Sequence, residues 1–323
     1  MRAAGEWPAL ERLGSELTDD ALMAEPELAY LYALAARVVG RTARALEVAA
    51  QVERLARLRG DRRLLAEAAI LIGIAHFEAG RLGEAEECWG ELLTSAAEWG
   101  DEEAASRASN NLGVLANVRG RRDQALLHYQ RALAAYQRLG NVRGMAETHH
   151  NLGISYRDLG FDREADAHFN RAMDLAGGAA ADDVIAIAET ERAMLRARSG
   201  DGPLADAMAL RALEMFERIG DPLGRADALR VRAAAARAQA RDDEAVGHLE
   251  SALAVARAHS DPLLLAEVQR DRGLLLRDRG DADAAREALN EAAEHFAHLG
   301  ATAEAEAVGV IARDLQGPPP AAS

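Results

Sequence analysis

Residues 151–172 read NLGISYRDLGFDREADAHFNRA, and this stretch decides the fold. Leu152 precedes Gly160, and Ala165, Phe169 and Ala172 follow it at helical spacing. The same types of residue stand 40 positions earlier, at Leu112, Gly120, Ala125, Tyr129 and Ala132. The stretch therefore predicts two helices joined at a glycine, in a unit that repeats along the chain.

Glycine marks the joints along most of the chain. It occupies 11 of the 14 positions at 20-residue spacing from residue 40 to residue 300, and the exceptions are Ala180, Ala240 and Ser260. At five of the seven alternate joints an Asp or Asn follows, at Asp61, Asp101, Asn141, Asp221 and Asp261. A left-handed residue ends one helix, and the next side chain accepts from the free N–H groups of the following helix. We therefore expect seven units, each of two helices, with a helix end at every joint.

These units resemble the tetratricopeptide repeat. The resemblance rests on Leu112-Gly113 and on Leu152-Gly153 with Tyr156, each followed by the glycine, alanine and aromatic positions given above. It covers roughly residues 20–300 and weakens where Arg192-Ala193 and Arg232-Ala233 replace the Leu-Gly pair. The period of 40 exceeds the usual 34. It is similar to the long form found in spindle-orientation adaptors, kinesin light chains and bacterial peptide-sensing or transcription-regulator domains.

The resemblance implies an all-α, right-handed solenoid of seven helix-turn-helix repeats. We expect an N-terminal cap segment at residues 1–19, the repeats at 20–300, a C-terminal capping helix at 301–316 and a disordered proline-rich tail at 317–323. Residues 177–181 (GGAAA) lack any large side chain. They form either a flexible joint between units four and five or simply a longer loop.

Composition excludes several classes of function. The formal net charge of -15 disfavours nucleic acid and anionic membranes as partners, because phosphate contacts need clustered cations. All 38 basic residues are arginine, so Walker-type phosphate loops and Schiff-base lysines are excluded. Cys88 is the only cysteine, and we find no signal peptide or membrane span in the sequence. A cytoplasmic protein is expected.

The sequence predicts no catalytic, metal or cofactor site. His149 and His150 diverge by about 100° on a helix and cannot share a metal. His295 and His298 share a face, but zinc needs three or four ligands. Cys88 is interpreted as a packed small residue. We therefore expect that the protein is not an enzyme.

A partner site is predicted on the first helices of the repeats, which line the concave side in the family. The positions opposite the packed face carry asparagines, which can bond to a peptide backbone, and recurring arginines. The predicted peptide-binding residues are Asn110, Asn111, Asn117, His150, Asn151, Arg157, Arg230, Arg237, Arg270 and Arg277.

Two alternatives stay open at these positions. The arginines can pair with acids of the same face, namely Asp158, Asp227, Asp271 and Asp278, and the asparagines can bond to neighbouring repeats. The leading function is a scaffold or adaptor that holds a protein or peptide segment bearing acidic residues. The alternative is a sensor module for a peptide or small molecule that regulates signalling or transcription. The sequence leaves the oligomeric state, partner and pathway open.

Overall fold

The computed structural model describes residues 6–315 of the chain. Within that range the chain forms seventeen α-helices and no strand, which confirms the all-α prediction. The helices are α1 (Glu6–Ser15), α2 (Asp19–Ala24), α3 (Pro26–Val38), α4 (Thr42–Arg59), α5 (Arg62–Glu78), α6 (Leu82–Trp99), α7 (Glu102–Val118), α8 (Arg122–Leu139), α9 (Val142–Asp158), α10 (Asp162–Ala179), α11 (Asp182–Arg198), α12 (Gly202–Ile219), α13 (Pro222–Ala238), α14 (Asp242–His259), α15 (Pro262–Asp278), α16 (Ala282–His298) and α17 (Thr302–Asp314).

Helices α3 to α16 form seven consecutive pairs, one pair for each predicted repeat. The chain divides into two compact units. The described residues of unit 1 come from Met1–Leu115 and Asp123–Thr148, and those of unit 2 from Ala116–Arg122 and His149–Ser323. Most of the predicted site residues belong to unit 2.

The regular spacing of the turns is confirmed. All fourteen positions from residue 40 to residue 300 have a positive φ, including the three that are not glycine. Ala180, Ala240 and Ser260 have φ angles of 51°, 55° and 52°, a conformation that costs a residue with a Cβ roughly 1–2 kcal/mol. Packing of the flanking helices therefore fixes the turn even where the sequence does not favour it.

The predicted side-chain caps are also confirmed. All five accept a hydrogen bond of 2.8–3.0 Å from a backbone N–H in the first turn of the following helix. The five capping residues are Asp61, Asp101, Asn141, Asp221 and Asp261. Each cap satisfies an N–H group that the start of a helix leaves unpaired, so the turns both end one helix and begin the next.

A ring-into-glycine contact holds the two helices of the central repeats together. A Cβ at Gly153 would lie 2.5 Å from Cε1 of Phe169, so only glycine lets the ring pack there. Where the Leu-Gly signature is lost at Ala193, the residue at the position of the ring is Ala209, and both alanines are fully buried. The Leu-Gly signature weakens in repeat five because both residues of this contact change: a larger alanine replaces the glycine, and a smaller alanine replaces the aromatic residue.

Residues 177–181 keep the register of the other turns. Helix α10 continues through Gly177 and Gly178 to Ala179, Ala180 takes the left-handed conformation, and the N–H of Ala181 donates to the carbonyl of Ala176 at 3.0 Å. The turn is as short as the others, so the longer-loop interpretation is wrong. Flexibility at this joint stays a prediction, which amide exchange faster than at the Gly140 and Gly220 turns would confirm.

Helices outside the repeats occupy both ends of the described range. Helix α17 lies in the stretch for which the sequence predicts an extra helix, and it buries Val308 and Ala312. At the other end, α1 and α2 precede the first helix pair, whose helix α3 starts at Pro26, a position that needs no N–H. The predicted tail at 317–323 lies outside the described residues. None of the described helices is long and apolar enough to cross a membrane.

Candidate binding surface

The first helices of the repeats in unit 2 present equivalent positions, one set in each repeat. These helices are the part of α9 from His149 onward, then α11, α13 and α15, called here the first-helix row. The thirteenth residue of each helix is apolar and only half-buried: Ile154, Met194, Ala234 and Leu274. The row therefore carries one partly exposed apolar residue per repeat, and these four residues are called here the apolar line.

Two of the predicted asparagines bond to neighbouring helices. In unit 2, Asn117 accepts from the hydroxyl of Ser155 at 3.1 Å, and its amide nitrogen lies 3.4 Å from Asp158. In unit 1, Asn110 accepts from the hydroxyl of Thr148 at 3.2 Å. Both asparagines are buried and bonded to neighbouring helices, as the structural interpretation predicts, and their role in binding a peptide stays a prediction.

Asn111 and Asn151 stand at the same position of α7 and α9 and are half-buried. The Oδ1 of Asn151 lies 3.2 Å from Nδ1 of His150, which packs against the ring of Phe169 with the centroids 5.8 Å apart. Burial lowers the pKa of His150, so the ring is neutral at pH 7. The proposed role of these asparagines in binding a peptide backbone stays a prediction.

Arg157 lies at the centre of the first of three charged networks on the row. Its guanidinium donates to Asp158 at 2.8 Å and to Glu191. Arg122 donates to Glu304 of α17 at 2.8 Å and lies 4.0 Å from Asp158. Burial opposes the charge on Arg157, but the carboxylates outweigh it and raise the pKa of Arg157. We call these five residues the Arg157 network.

The second network surrounds Arg230, whose side chain is only 7% exposed. Arg230 donates to Asp227 at 2.8 Å, to Asp271 at 2.8 Å and to Glu267. Arg270 also donates to Asp271 at 2.9 Å. Two guanidinium groups thus serve three carboxylates in the Arg230 network, which consists of the five residues named here.

Asp227 of the Arg230 network accepts from one guanidinium among the described residues. Burial raises its pKa to about 7, Arg230 opposes this effect, and the nearby Glu191 and Glu267 add to it. For Asp271 burial acts in the same direction, but Arg270 and Arg230 outweigh it and lower its pKa. The difference follows from the donors, because Asp271 has two guanidinium partners and Asp227 has one among the described residues.

The third network reverses this balance. Arg277 donates to Asp278 at 2.9 Å, and Arg237 donates to the second oxygen of the same carboxylate. All three side chains are 38% exposed. In this Asp278 network two guanidiniums therefore share one carboxylate at a site open to water.

All five predicted arginines are thus paired with carboxylates. Their partners include the four aspartates that the alternative interpretation named, so the predicted same-face pairing is confirmed: Asp158, Asp227, Asp271 and Asp278. Sequence reasoning missed Glu191. This residue stands 40 positions after Asn151, so adding one more repeat length to the predicted positions would have found it. It also missed Ser155 and Thr148, which bond the buried asparagines.

Groups that could carry other chemistry are few within residues 6–315. No three metal-ligating side chains cluster there. His149 and His150 point to different neighbours, as predicted, since Nδ1 of His149 lies 2.9 Å from Nδ1 of His168. Burial, with nearby carboxylates, raises the pKa of the Cys88 thiol to about 11. Cys88 is therefore a thiol rather than a reactive thiolate at pH 7.

The comparisons with known proteins agree with the helical-repeat fold. The family model described as "Tetratricopeptide repeat" matches residues 104–177 and 184–258. Over these two ranges the chain matches the tetratricopeptide repeat. Helix pairs continue beyond the matched ranges on both sides within the described residues. No curated protein matches the chain.

Several solved structures share its fold. The Rap conjugation gene regulator of plasmid pLS20, in complex with the Phr* peptide, superposes with a TM-score of 0.69 at 15% identity, covering 87% of this chain and 77% of that one. A Rap protein complexed with Competence and Sporulation Factor gives 0.64 at 14%, covering 95% and 78%. NprR in complex with its cognate peptide NprX gives 0.61 at 15%, covering 97% of both chains.

Proposed function

We propose that this protein is a tetratricopeptide repeat scaffold or adaptor that binds a segment of a protein or peptide partner along the first-helix row of unit 2. The observation that carries the proposal is the apolar line, which leaves Met194 and Leu274 partly open to water. Charged networks lie beside this line on the same helices. A specific binding site commonly combines apolar contact area with a few polar groups that fix orientation.

The solved relatives support a peptide as the ligand class. Rap and NprR are described in complex with peptides or with a named factor, and their likeness to this chain is one of fold. At 14–15% identity their binding residues do not transfer. The proposal for this chain therefore rests on its own row, and the relatives show only that such a fold can hold a peptide.

The partner's acidic residue is proposed to bind at the Asp278 network. Arg237 and Arg277 share one carboxylate there, so one positive charge stays uncompensated at an exposed position. Arg157, Arg230 and Arg270 are less suitable, because each already faces carboxylates that an incoming acid would have to displace. Of the five predicted arginines, two are therefore proposed to bind the partner's acidic residue, Arg237 and Arg277.

A sensor is the second candidate. The observation that favours it is the match over 97% of both chains to the structure described as the quorum sensor NprR from B. thuringiensis, with a TM-score of 0.52. A sensor would bind a free peptide or small molecule and change its own conformation, whereas an adaptor would bind a segment within a larger protein. Native mass spectrometry of the protein purified from its own cells separates the two by the mass of what remains bound.

Three further expectations stand as proposals. The protein is proposed to lack enzymatic activity, although one structure of the same fold is described as aspartyl phosphate phosphatase F from Bacillus subtilis. A cytoplasmic location is proposed on the single cysteine, which suits a reducing compartment. The division into a cap at 1–19, repeats at 20–300, a capping helix at 301–316 and a tail is likewise proposed.

The test is selection of peptides from a displayed random library on the purified protein, followed by affinity measurement. Leu274→Arg places a charge on the apolar line and should weaken the selected peptides by tenfold or more. Leu210→Arg is the matched control, because Leu210 is 41% exposed on the second helix α12 and lies off the row. Circular dichroism verifies that both variants fold. Equal affinity for both variants would contradict the proposed surface.

A further inference from the structure

The charge of the first-helix row is polarised. In the Arg157 network two guanidiniums face three carboxylates, and in the Arg230 network two again face three. With its carboxylates ionised, each network therefore carries an excess of one negative charge. The Asp278 network has two guanidiniums for one carboxylate and an excess of one positive charge. A segment bound to the row therefore meets excess negative charge at the Arg157 and Arg230 networks and excess positive charge at the Asp278 network.

The two surpluses lie a short distance apart with the apolar line between them. On α13, Arg237 follows Arg230 by seven residues, which corresponds to about 10 Å along the helix. Ala234 of the apolar line stands between these two arginines. Three to four residues of an extended chain span about 10–13 Å. A short segment can therefore reach both charged edges while an apolar side chain contacts the middle.

Resting on the proposed function, we propose that the bound segment carries a cationic group that lies against Glu191, Asp227 and Glu267. Its acidic residue then lies at Arg237 and Arg277, three or four positions along the segment. The cation is a basic side chain or the N-terminal ammonium of a peptide, since both offer the same charge and N–H donors.

Charge complementarity selects this occupant over an acidic or neutral one. Glu191 and Glu267 lie close enough to Asp227 to disfavour its charge, and within residues 6–315 Arg230 is the only guanidinium that donates to it. A cation placed here would supply the missing partner, whereas a second anion would add to the repulsion. The raised pKa of Asp227 is the expected sign of such a shortage of positive charge. The apolar line supplies contact area that the charges alone lack.

The experiment uses synthetic peptides chosen from the library selection on the intact protein, at pH 8, where Asp227 is ionised. Asp227→Asn keeps the shape of the side chain and should weaken binding about tenfold or more. Asp243→Asn is the matched control, because its side chain is 96% exposed on α14. Replacing the basic residue of the peptide by glutamine should cost the same factor, and combining both changes should cost little more than either. An N-terminally acetylated peptide separates the ammonium from the side chain as the source of the cation.

The outcomes distinguish the inference from the function on which it rests. Two results would overturn the proposed cation and leave the proposed surface intact. In the first, the selected peptides lack any basic group. In the second, the peptides bind wild type and Asp227→Asn with affinities within twofold of each other, while Leu274→Arg abolishes binding. Peptides indifferent to Leu274→Arg would overturn the surface itself. If Asp227→Asn does not fold, the glutamine-substituted peptide on wild-type protein decides, since loss of at least tenfold supports the cation and unchanged affinity refutes it.

Discussion

The Arg230 and Asp278 networks contain the same Arg-Asp sequence in opposite settings. Arg270-Asp271 joins a network whose central guanidinium is 7% exposed, and Arg277-Asp278, about two helical turns further along α15, forms a network that is 38% exposed. The buried network has too many carboxylates and the exposed one too many guanidiniums. The same dipeptide therefore has different effects at the two sites, because burial determines how much free energy an unbalanced charge costs.

The largest expected effect is on the buried network. Arg230→Ala removes the guanidinium that serves Asp227, Glu267 and Asp271, and leaves buried carboxylates without compensation. Loss of one partner of a buried ion pair typically costs about 3–5 kcal/mol of unfolding free energy. Urea denaturation at pH 8 measures this. A loss below about 1 kcal/mol would show that the network is solvated and would remove the contrast between the two sites.

The exposed network should matter for binding rather than folding. If a partner carboxylate engages both arginines, changing Arg237 and Arg277 together to alanine should weaken a selected acidic peptide by about a hundredfold, since charge-assisted bonds contribute roughly 1.5–3 kcal/mol each. High salt should reduce the difference.

Asn111→Ala combined with Asn151→Ala should weaken binding without changing its salt dependence, and Arg121→Ala should bind normally. Fluorescence anisotropy at two salt concentrations compares these variants.

The pH dependence of stability provides a finer contrast. Asp227 has a pKa of about 7 in the folded protein, between Arg230 on its own helix, Arg157 on α9, Glu191 on α11 and Glu267 on α15. The folded state therefore keeps a proton that the unfolded chain has already released near pH 4. Stability contributed by this group is present below pH 4 and is lost as the pH rises to 7.

Asp227→Asn should remove that loss. Relative to wild type, the unfolding free energy of the variant should increase as the pH rises from 4 to 7. At pH 8 the difference should be about 1–3 kcal/mol. This figure is reduced from about 1.36 kcal/mol per pKa unit because the carboxylate is 29% exposed. Chemical denaturation at several pH values tests the sign. Parallel stability profiles for the variant and wild type would show that Asp227 ionises normally and is fully paired.

The smallest expected effect is on folding through the exposed network. Arg237→Ala removes one of two donors to Asp278, both at the surface, and should change the unfolding free energy by less than about 1 kcal/mol. It is the matched control for Arg230→Ala, because the two arginines are on the same helix. A loss comparable to that of Arg230→Ala would mean that exposure does not separate the two networks.

Sequence reasoning predicted the fold in detail because its main signals are local. A glycine that ends a helix and an aspartate that caps the next one act within a few residues, so their spacing indicated the helix pairs. The turns at Ala180, Ala240 and Ser260 could not be predicted from residue type, since their positive φ is imposed by the helices on either side. Local signals therefore suffice for the repeat but not for its exceptions.

The candidate site was less predictable because it depends on contacts between repeats. Arithmetic on the register placed Asn110 and Asn111 on one face, but only helix packing shows that Asn110 bonds to Thr148 of the next repeat. Likewise the sequence named Arg230 and its aspartates, yet the surplus of carboxylates depends on which neighbours reach each guanidinium. Residue periodicity gives positions, and the balance of charge requires three-dimensional distances.

The first-helix row of unit 2 is proposed to hold the partner segment, and photo-crosslinking tests this central claim most directly. A selected peptide bearing a benzophenone at its apolar position is irradiated on the protein, and the attachment point is found by mass spectrometry. We expect attachment on α11, α13 or α15, near Met194, Ala234 or Leu274. Attachment on the second helices α12 or α14, at positions such as Leu210, would contradict the claim.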